Sequence, residues 1–204
     1  MMERNTNNLE KFFKKDNSLT NYYKEYISYL SSILYKLDVE KINKIIDVFI
    51  NAKKNNNKIF FIGNGGSAST SSHFMEDLNN VSSFKSISLT DNIACITALG
   101  NDNGYENIFL GQLKNLFSSG DVVVGISASG KSPNIIKAIE YVNNNNGISV
   151  GLIGFDGGIM KNICKYYIHI ETMKDEFGPV EDIHIILCHL ICTYLKFRLN
   201  DDDD

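Results

Sequence analysis

Lys58-Ile59-Phe60-Phe61-Ile62-Gly63-Asn64-Gly65-Gly66-Ser67-Ala68-Ser69 decides the fold class. An apolar run too short for a helix enters a glycine turn, and a helix-period segment with Ser72, His73, Phe74 and Met75 follows. Glycines let the backbone turn sharply and approach a ligand closely, and the free amides at a helix start suit an anion. Alone, the loop has two readings. Gly63, Gly65 and Ala68 satisfy the GxGxxA spacing of a dinucleotide fold, with Asp91 near the place of its ribose-binding acid. The same residues also form a cradle for a phosphate. A Walker A loop is excluded, because no Gly-Lys-Ser/Thr follows.

Outward from this stretch the pattern repeats. Short β-rich runs fall at 86–89, 122–126, 149–153 and 166–170, most of them followed by turn residues and a helix-period segment. Such alternation predicts an α/β fold, a parallel sheet with helices on both faces. Residues 19–52 carry apolar positions three and four apart and predict two amphipathic helices before the first strand. Residues 179–197 open with Pro179 and two acids and close on Lys196 and Arg198, the polarity of one long helix. Asparagine runs at 55–57 and 143–146 read as solvated turns. The expected organisation is a flexible N-terminus over 1–18, a single domain over 19–199 and an acidic tail over 200–204, the tail being solvated rather than metal-binding.

The second loop separates the readings of the first. The run at 122–126 leads into Ser127-Ala128-Ser129-Gly130-Lys131-Ser132-Pro133, with Pro133 suited to a first helical turn. Three serines at a helix start can hold a phosphate dianion without a basic patch, since each hydrogen bond to a charged group contributes about 1.5–3 kcal/mol. A dinucleotide fold has no use for this loop. The competing structural role for these serines is helix capping.

Composition narrows the function classes. The 204 residues fit one domain, and a net charge of −4 disfavours nucleic acid as a partner. Cys95, Cys164, Cys188 and Cys192 form no CxxC pair and read as buried thiols. The longest apolar stretch, 183–195, is short and interrupted by His184 and His189, and no apolar leader opens the chain, so the expectation is a cytoplasmic protein without a membrane partner.

Together the first loop, Gly100-Asn101-Asp102, the Ser127–Ser132 loop, and the stretches at 73–78, 97–109 and 181–190 resemble the SIS (sugar isomerase) domain family, most closely its phosphoheptose isomerase branch. The likeness extends over roughly residues 22–195. It implies a five-stranded parallel sheet in a flavodoxin-like three-layer sandwich, a homotetramer, and an aldose–ketose isomerase acting on sedoheptulose 7-phosphate in heptose biosynthesis. The phosphorylated sugar is then the ligand, and no nucleotide cofactor is implied. By the same resemblance Asn64, Gly65, Gly66, Ser67, Asn101, Asp102, Ser127, Ala128, Ser129, Ser132 and Glu181 contact substrate. Asp77 and His189 are catalytic, and His73, Asp77, Glu181 and His189 form a zinc site.

Three positions depart from the family pattern. Ala128 stands where Thr is usual, Asp77 where Glu is usual, and Glu181 where Gln is usual. Asp77 has the shorter reach, and reaction geometry tolerates little displacement. These departures also motivate a second reading, a non-catalytic SIS module that senses a sugar phosphate or serves as a scaffold. A nicotinamide-dependent oxidoreductase rests on the GxGxxA spacing alone. His169 and His184 read as structural, and Glu76, adjacent to Asp77, as a salt-bridge partner.

Overall fold

The computed structural model describes residues 6–82 and 84–201. Helices α1 (Asn8–Lys15), α2 (Leu19–Leu34) and α3 (Val39–Lys54) precede the first strand. The strands are β1 (Lys58–Gly63), β2 (Lys85–Ser88), β3 (Val122–Ser127), β4 (Ile148–Ile153) and β5 (Tyr166–His169). Between and after them run α4 (Gly66–Ser82), α5 (Ile93–Asn103), α6 (Ile108–Leu116), α7 (Pro133–Asn144), α8 (Met160–Ile163) and α9 (Phe177–Asp201), with a single 3₁₀ turn at Tyr105–Asn107 before α6. All strand pairs are parallel, in the order β2-β1-β3-β4-β5.

Alternate residues of the central strands feed two apolar layers. Ile59, Phe61, Val122, Val124 and Ile126 pack with α3, α4 and α9 on one face, and Phe60, Ile62 and Val123 pack with α6 and α7 on the other. This is the expected α/β sandwich with five parallel strands. Both asparagine runs close helices: Asn56 and Asn146 take positive φ of 61° and 59°, a conformation Asn tolerates better than most residues.

Two findings go beyond the sequence expectations. Helix α1 forms inside the stretch assigned to a flexible N-terminus. Asn7 caps it by accepting from the Glu10 amide, and Lys14 and Lys15 occupy its last turn. It docks through the Asn8 amide, which donates to Glu176 Oε1 at 2.7 Å, and through the Phe12–Tyr29 ring contact. The last helix is also longer than 179–197, and of the acidic tail Asp202–Asp204 lie outside the described residues.

The two ends of the sheet are built differently. At the N-terminal ends of the strands the buried Asp121 accepts from the Lys58 amide and the Ser118 amide, both at 2.8 Å, and pairs with Lys58 Nζ at 2.8 Å. At the C-terminal ends β1 and β3, adjacent in the sheet, send their chains to helices on opposite faces. That divergence opens a crevice, the usual ligand position of an open α/β sheet.

Helices α4 and α9 pack together over one face. Phe74 is fully buried between Phe49 and Phe61, at ring separations of 5.9 and 4.8 Å. Phe74→Ala is expected to cost about 3–5 kcal/mol in urea unfolding, because a cavity this enclosed cannot collapse. Within α9, His184 is fully buried and neither ring nitrogen has a partner among the described residues, and burial pushes its imidazole down to about 3. Its folded pKa thus lies below the unfolded value near 6.5. The unfolded chain therefore takes up a proton first, and stability is lost as pH falls through 6.5, by up to about 1.4 kcal/mol per pH unit. His184→Leu is expected to flatten that part of a stability–pH curve measured by denaturant titration.

Candidate active site

The first loop joins β1 to α4. Here Gly63 is packed so closely that an added Cβ would lie 2.3 Å from Ser67 O, and Gly65 has φ +56°. Helix α4 begins at once at Gly66, so its first amides have no intrahelical acceptor. The second loop joins β3 to α7. Its Gly130 has φ +61°, and an added Cβ would stand 2.1 Å from Gly157 O, so only glycine fits. Ser127 Oγ accepts from the Gly130 amide at 3.1 Å, and Ser129 Oγ accepts from the Lys131 amide at 3.2 Å.

Ser132 is the N-cap residue of α7, yet its side chain makes no capping bond. Its hydroxyl lies 3.4 Å from Ser127 Oγ, at the wall of a cavity. Capping therefore does not account for this serine.

The two loops are joined by an amide pair. Asn64 Nδ2 donates to Asn134 Oδ1 at 3.0 Å, and Asn134 Nδ2 donates to Asn64 Oδ1 at 2.8 Å. Tyr105, in the turn after α5, adds its hydroxyl to Asn64 Oδ1 at 2.9 Å. Between the loops lies a cavity of about 120 Å³ lined by Asn64, Ser67, Ser127, Ala128, Ser129, Ser132, Phe177 and Glu181. A larger cavity of about 560 Å³ between α2 and the end of β5 lacks both loops, so volume alone does not pick the site.

Glu181 stands over the first loop. An added Cβ on Gly66 would lie 2.3 Å from its Oε2, so glycine makes room for this carboxylate. Burial, and secondarily the charge of Asp182, raises the Glu181 pKa above the ordinary carboxylate value. The start of α9 is fixed by helix α2, with Tyr26 donating to Asp182 Oδ2 and Tyr29 to Glu176 Oε2, both at 2.6 Å.

Further along the α4–α9 contact lies a second cluster. His73 Nε2 is 2.8 Å from His189 Nε2, Asp77 Oδ2 is 3.4 Å from His73 Nε2, and His189 Nε2 is 4.0 Å from Asp77 Oδ2. Cys188 Sγ approaches Asp77 Oδ2 at 3.8 Å, and its contact with Cys192, followed by burial, raises its pKa. His73, Asp77 and Cys188 bring one donor atom each within 4.8 Å of one another, a group able to hold a metal ion.

The residues singled out from sequence fall into three groups. Asn64, Ser67, Ser127, Ala128, Ser129, Ser132 and Glu181 line one cavity, with Gly65 and Gly66 in the turn between Asn64 and Ser67. His73, Asp77 and His189 form the second cluster. Asn101 and Asp102 join neither: they are exposed near the end of α5, where Asn101 Nδ2 donates to Asp102 Oδ1 at 2.8 Å. Sequence reasoning missed Tyr105, Asn134 and Phe177, and it read Cys188 as a plain buried thiol. Only the Asn that follows Pro133 and the Cys-His pair at 188–189 offered a signal.

Residues 21–154 match the SIS domain family. The chain belongs to that family. It is 37% identical over 185 residues to phosphoheptose isomerase 2 of Campylobacter jejuni, covering 84% of this chain and 90% of the relative. The phosphoheptose isomerase of Aneurinibacillus thermoaerophilus is 38% identical over 170 residues, covering 80% and 82%. Among solved structures, phosphoheptose isomerase from Neisseria gonorrhoeae superposes with a TM-score of 0.80 at 28% identity, covering 87% of this chain and 96% of that one. The SIS chain described here is thus phosphoheptose-isomerase-like in both sequence and fold, an enzyme rather than a bare binding module.

Removing the Ser132 hydroxyl separates the two roles open to this serine. Ser132→Ala is expected to unfold within about 0.5 kcal/mol of the parent, since no cap is lost, while calorimetric affinity for a sugar phosphate falls about tenfold. A stability loss of about 1 kcal/mol with unchanged affinity would make it a cap.

Proposed function

We propose that the chain converts sedoheptulose 7-phosphate into D-glycero-D-manno-heptose 7-phosphate through an enediolate, within heptose biosynthesis for a bacterial surface polysaccharide. The observation that carries this reading is the pairing of two sites along one helix contact. The loop cavity receives Ser67 from α4 and Glu181 from α9, and the same two helices set His73, Asp77 and His189 within 2.8–4.0 Å of one another.

The division of labour follows from the chemistry. Moving a carbonyl from C2 to C1 removes a proton from one carbon and returns one to its neighbour, so a base and an acid must flank a single bond. In this reading the loop amides with Ser127, Ser129 and Ser132 hold the phosphate and fix the far end of the sugar. His189 moves the carbon-bound proton and Asp77 the oxygen-bound ones. Each such transfer typically contributes about 10²–10⁴ in rate. The short side chain of Asp77 does not leave it isolated, for its carboxylate reaches both imidazoles.

Two imidazoles and a carboxylate at this spacing are donors that zinc accepts, and zinc, when bound, would supply Lewis-acid polarisation of the carbonyl. His73, Asp77 and His189 are the residues that would hold it. No described helix is long and apolar enough to cross a membrane, and all four cysteines are free, which supports a cytoplasmic setting. Exposed apolar side chains on α2 and α5, among them Leu19, Tyr23 and Ile93, support assembly into a homotetramer.

Incubation with sedoheptulose 7-phosphate, followed by NMR, is expected to show the aldoheptose 7-phosphate accumulating. His189→Ala and Asp77→Asn are each expected to lower kcat by at least about 10² while leaving phosphate binding in place. Binding without conversion, with and without added zinc, would turn the assignment to a sugar-phosphate sensor.

A further inference from the structure

Lys131 is the one charged side chain in the two Gly/Ser loops, residues 63–69 and 127–132, yet it does not line the cavity between them, although its neighbours Ser129 and Ser132 do. It lines instead an adjoining cavity of about 350 Å³, which shares Ser129 and Phe177 with the first. There its Nζ donates to Asp156 Oδ2 at 2.7 Å. The two side chains are 56% and 67% exposed, a setting in which an ion pair adds little to stability. Holding the fold together therefore does not account for the pair.

Asp156 sits on a turn that is bound to the phosphate loop at several points. Met160 N donates to Gly130 O at 3.1 Å, and Gly154 N donates to Ser127 O at 3.3 Å. The two backbones also touch, so that an added Cβ on Gly158 would lie 2.5 Å from Ser129 O. Phe155 holds a positive φ of 47°, with its carbonyl accepting from His169 Nε2 at 2.9 Å and its ring 5.0 Å from that of Phe177. Asp156 Oδ1 accepts from the Gly158 amide at 3.1 Å, which leaves Oδ2 to face Lys131. The bond from Lys131 first, and that from the Gly158 amide second, lower the Asp156 pKa, so the carboxylate is charged at neutral pH.

We propose that Asp156 is a positioning residue that keeps the Lys131 ammonium off the substrate phosphate and so limits the affinity of the seat. A lysine stem is long and flexible, and position 131 lies between two residues of the seat, so an untethered ammonium would reach the anion. That contact would be the same for substrate and product, because the phosphate takes no part in the isomerisation. Uniform binding of this kind lowers KM without raising kcat, and it slows product release. The inference rests on the phosphate seat of the isomerase reading, but its test reads binding separately from turnover.

Asp156→Asn keeps an oxygen for the Gly158 amide and removes the charge that holds Lys131. In calorimetric titrations of the full chain this variant is expected to bind sedoheptulose 7-phosphate and inorganic phosphate each about tenfold more tightly than the parent, with a steeper loss of affinity as salt is added. Its KM is expected to fall by a similar factor while kcat does not rise. Combining it with Lys131→Met is expected to restore the parental affinity. Lys131→Met alone is expected to leave affinity within about twofold, and it serves as the test should Asp156→Asn fail to fold. Unchanged or weaker phosphate binding in Asp156→Asn, tight binding that persists in the double variant, or a loss of about tenfold in Lys131→Met overturns the proposal. Tighter binding in a chain that does not isomerise the sugar phosphate would retire the isomerase reading and leave this one standing. Turnover with unchanged affinity in Asp156→Asn would do the reverse, and a parent that binds neither ligand would retire the seat and both readings with it.

Discussion

An anion at the end of a parallel sheet must be met by groups that the sheet itself leaves unpaired. In this chain the supply comes from two strands that lie side by side and whose connections leave toward opposite faces, β1 into α4 and β3 into α7. Each connection turns on a glycine in a left-handed or tightly packed conformation and opens a helix within a few residues, so helix-start amides from both meet in one crevice. The Asn64–Asn134 amide pair fixes the distance between the two turns and lets them act as one seat. This arrangement explains how a chain with net charge −4 can serve a phosphorylated ligand: the positive potential is local, built from backbone dipoles rather than from a basic surface.

Everything chemical is then hung on the contact between α4 and α9. Helix α4 starts at that crevice and carries His73 and Asp77 about two and three turns beyond its start. Helix α9 passes over the same seat at Glu181 and reaches the imidazole cluster at Cys188 and His189. The position of α9 is set in turn by the N-terminal helices, through Tyr26 on Asp182 and through Tyr29 and the Asn8 amide on Glu176. The segment before the first strand thus helps to orient the site without contributing a residue to it.

The fold was legible because its signals are local. Apolar runs at 58–62 and 122–126, each ended by a Gly/Ser loop, could only be buried strands feeding helices, and all five strands formed within a residue or two of expectation. Helix α1 was not legible, since it has eight residues and none of them buried; its formation depends on a cap and on contacts with Tyr29 and Glu176 far along the chain. The cradle residues were readable from glycine and serine spacing. Asn134, Tyr105 and Cys188 were not, because their roles arise from partners 70, 41 and 111 residues away. Asn101 and Asp102 rest on the resemblance alone: within this chain α5 holds them exposed and outside the cavity.

The account stands on a phosphate held at the β1–β3 crevice by main-chain amides and hydroxyls. Amide chemical-shift mapping of the isotopically labelled chain against sedoheptulose 7-phosphate tests this most directly. The account predicts that the largest shifts fall on residues 64–67 and 127–132 and follow a single saturation curve. Shifts gathered instead around the cavity between α2 and the end of β5, with both loops silent, would contradict it.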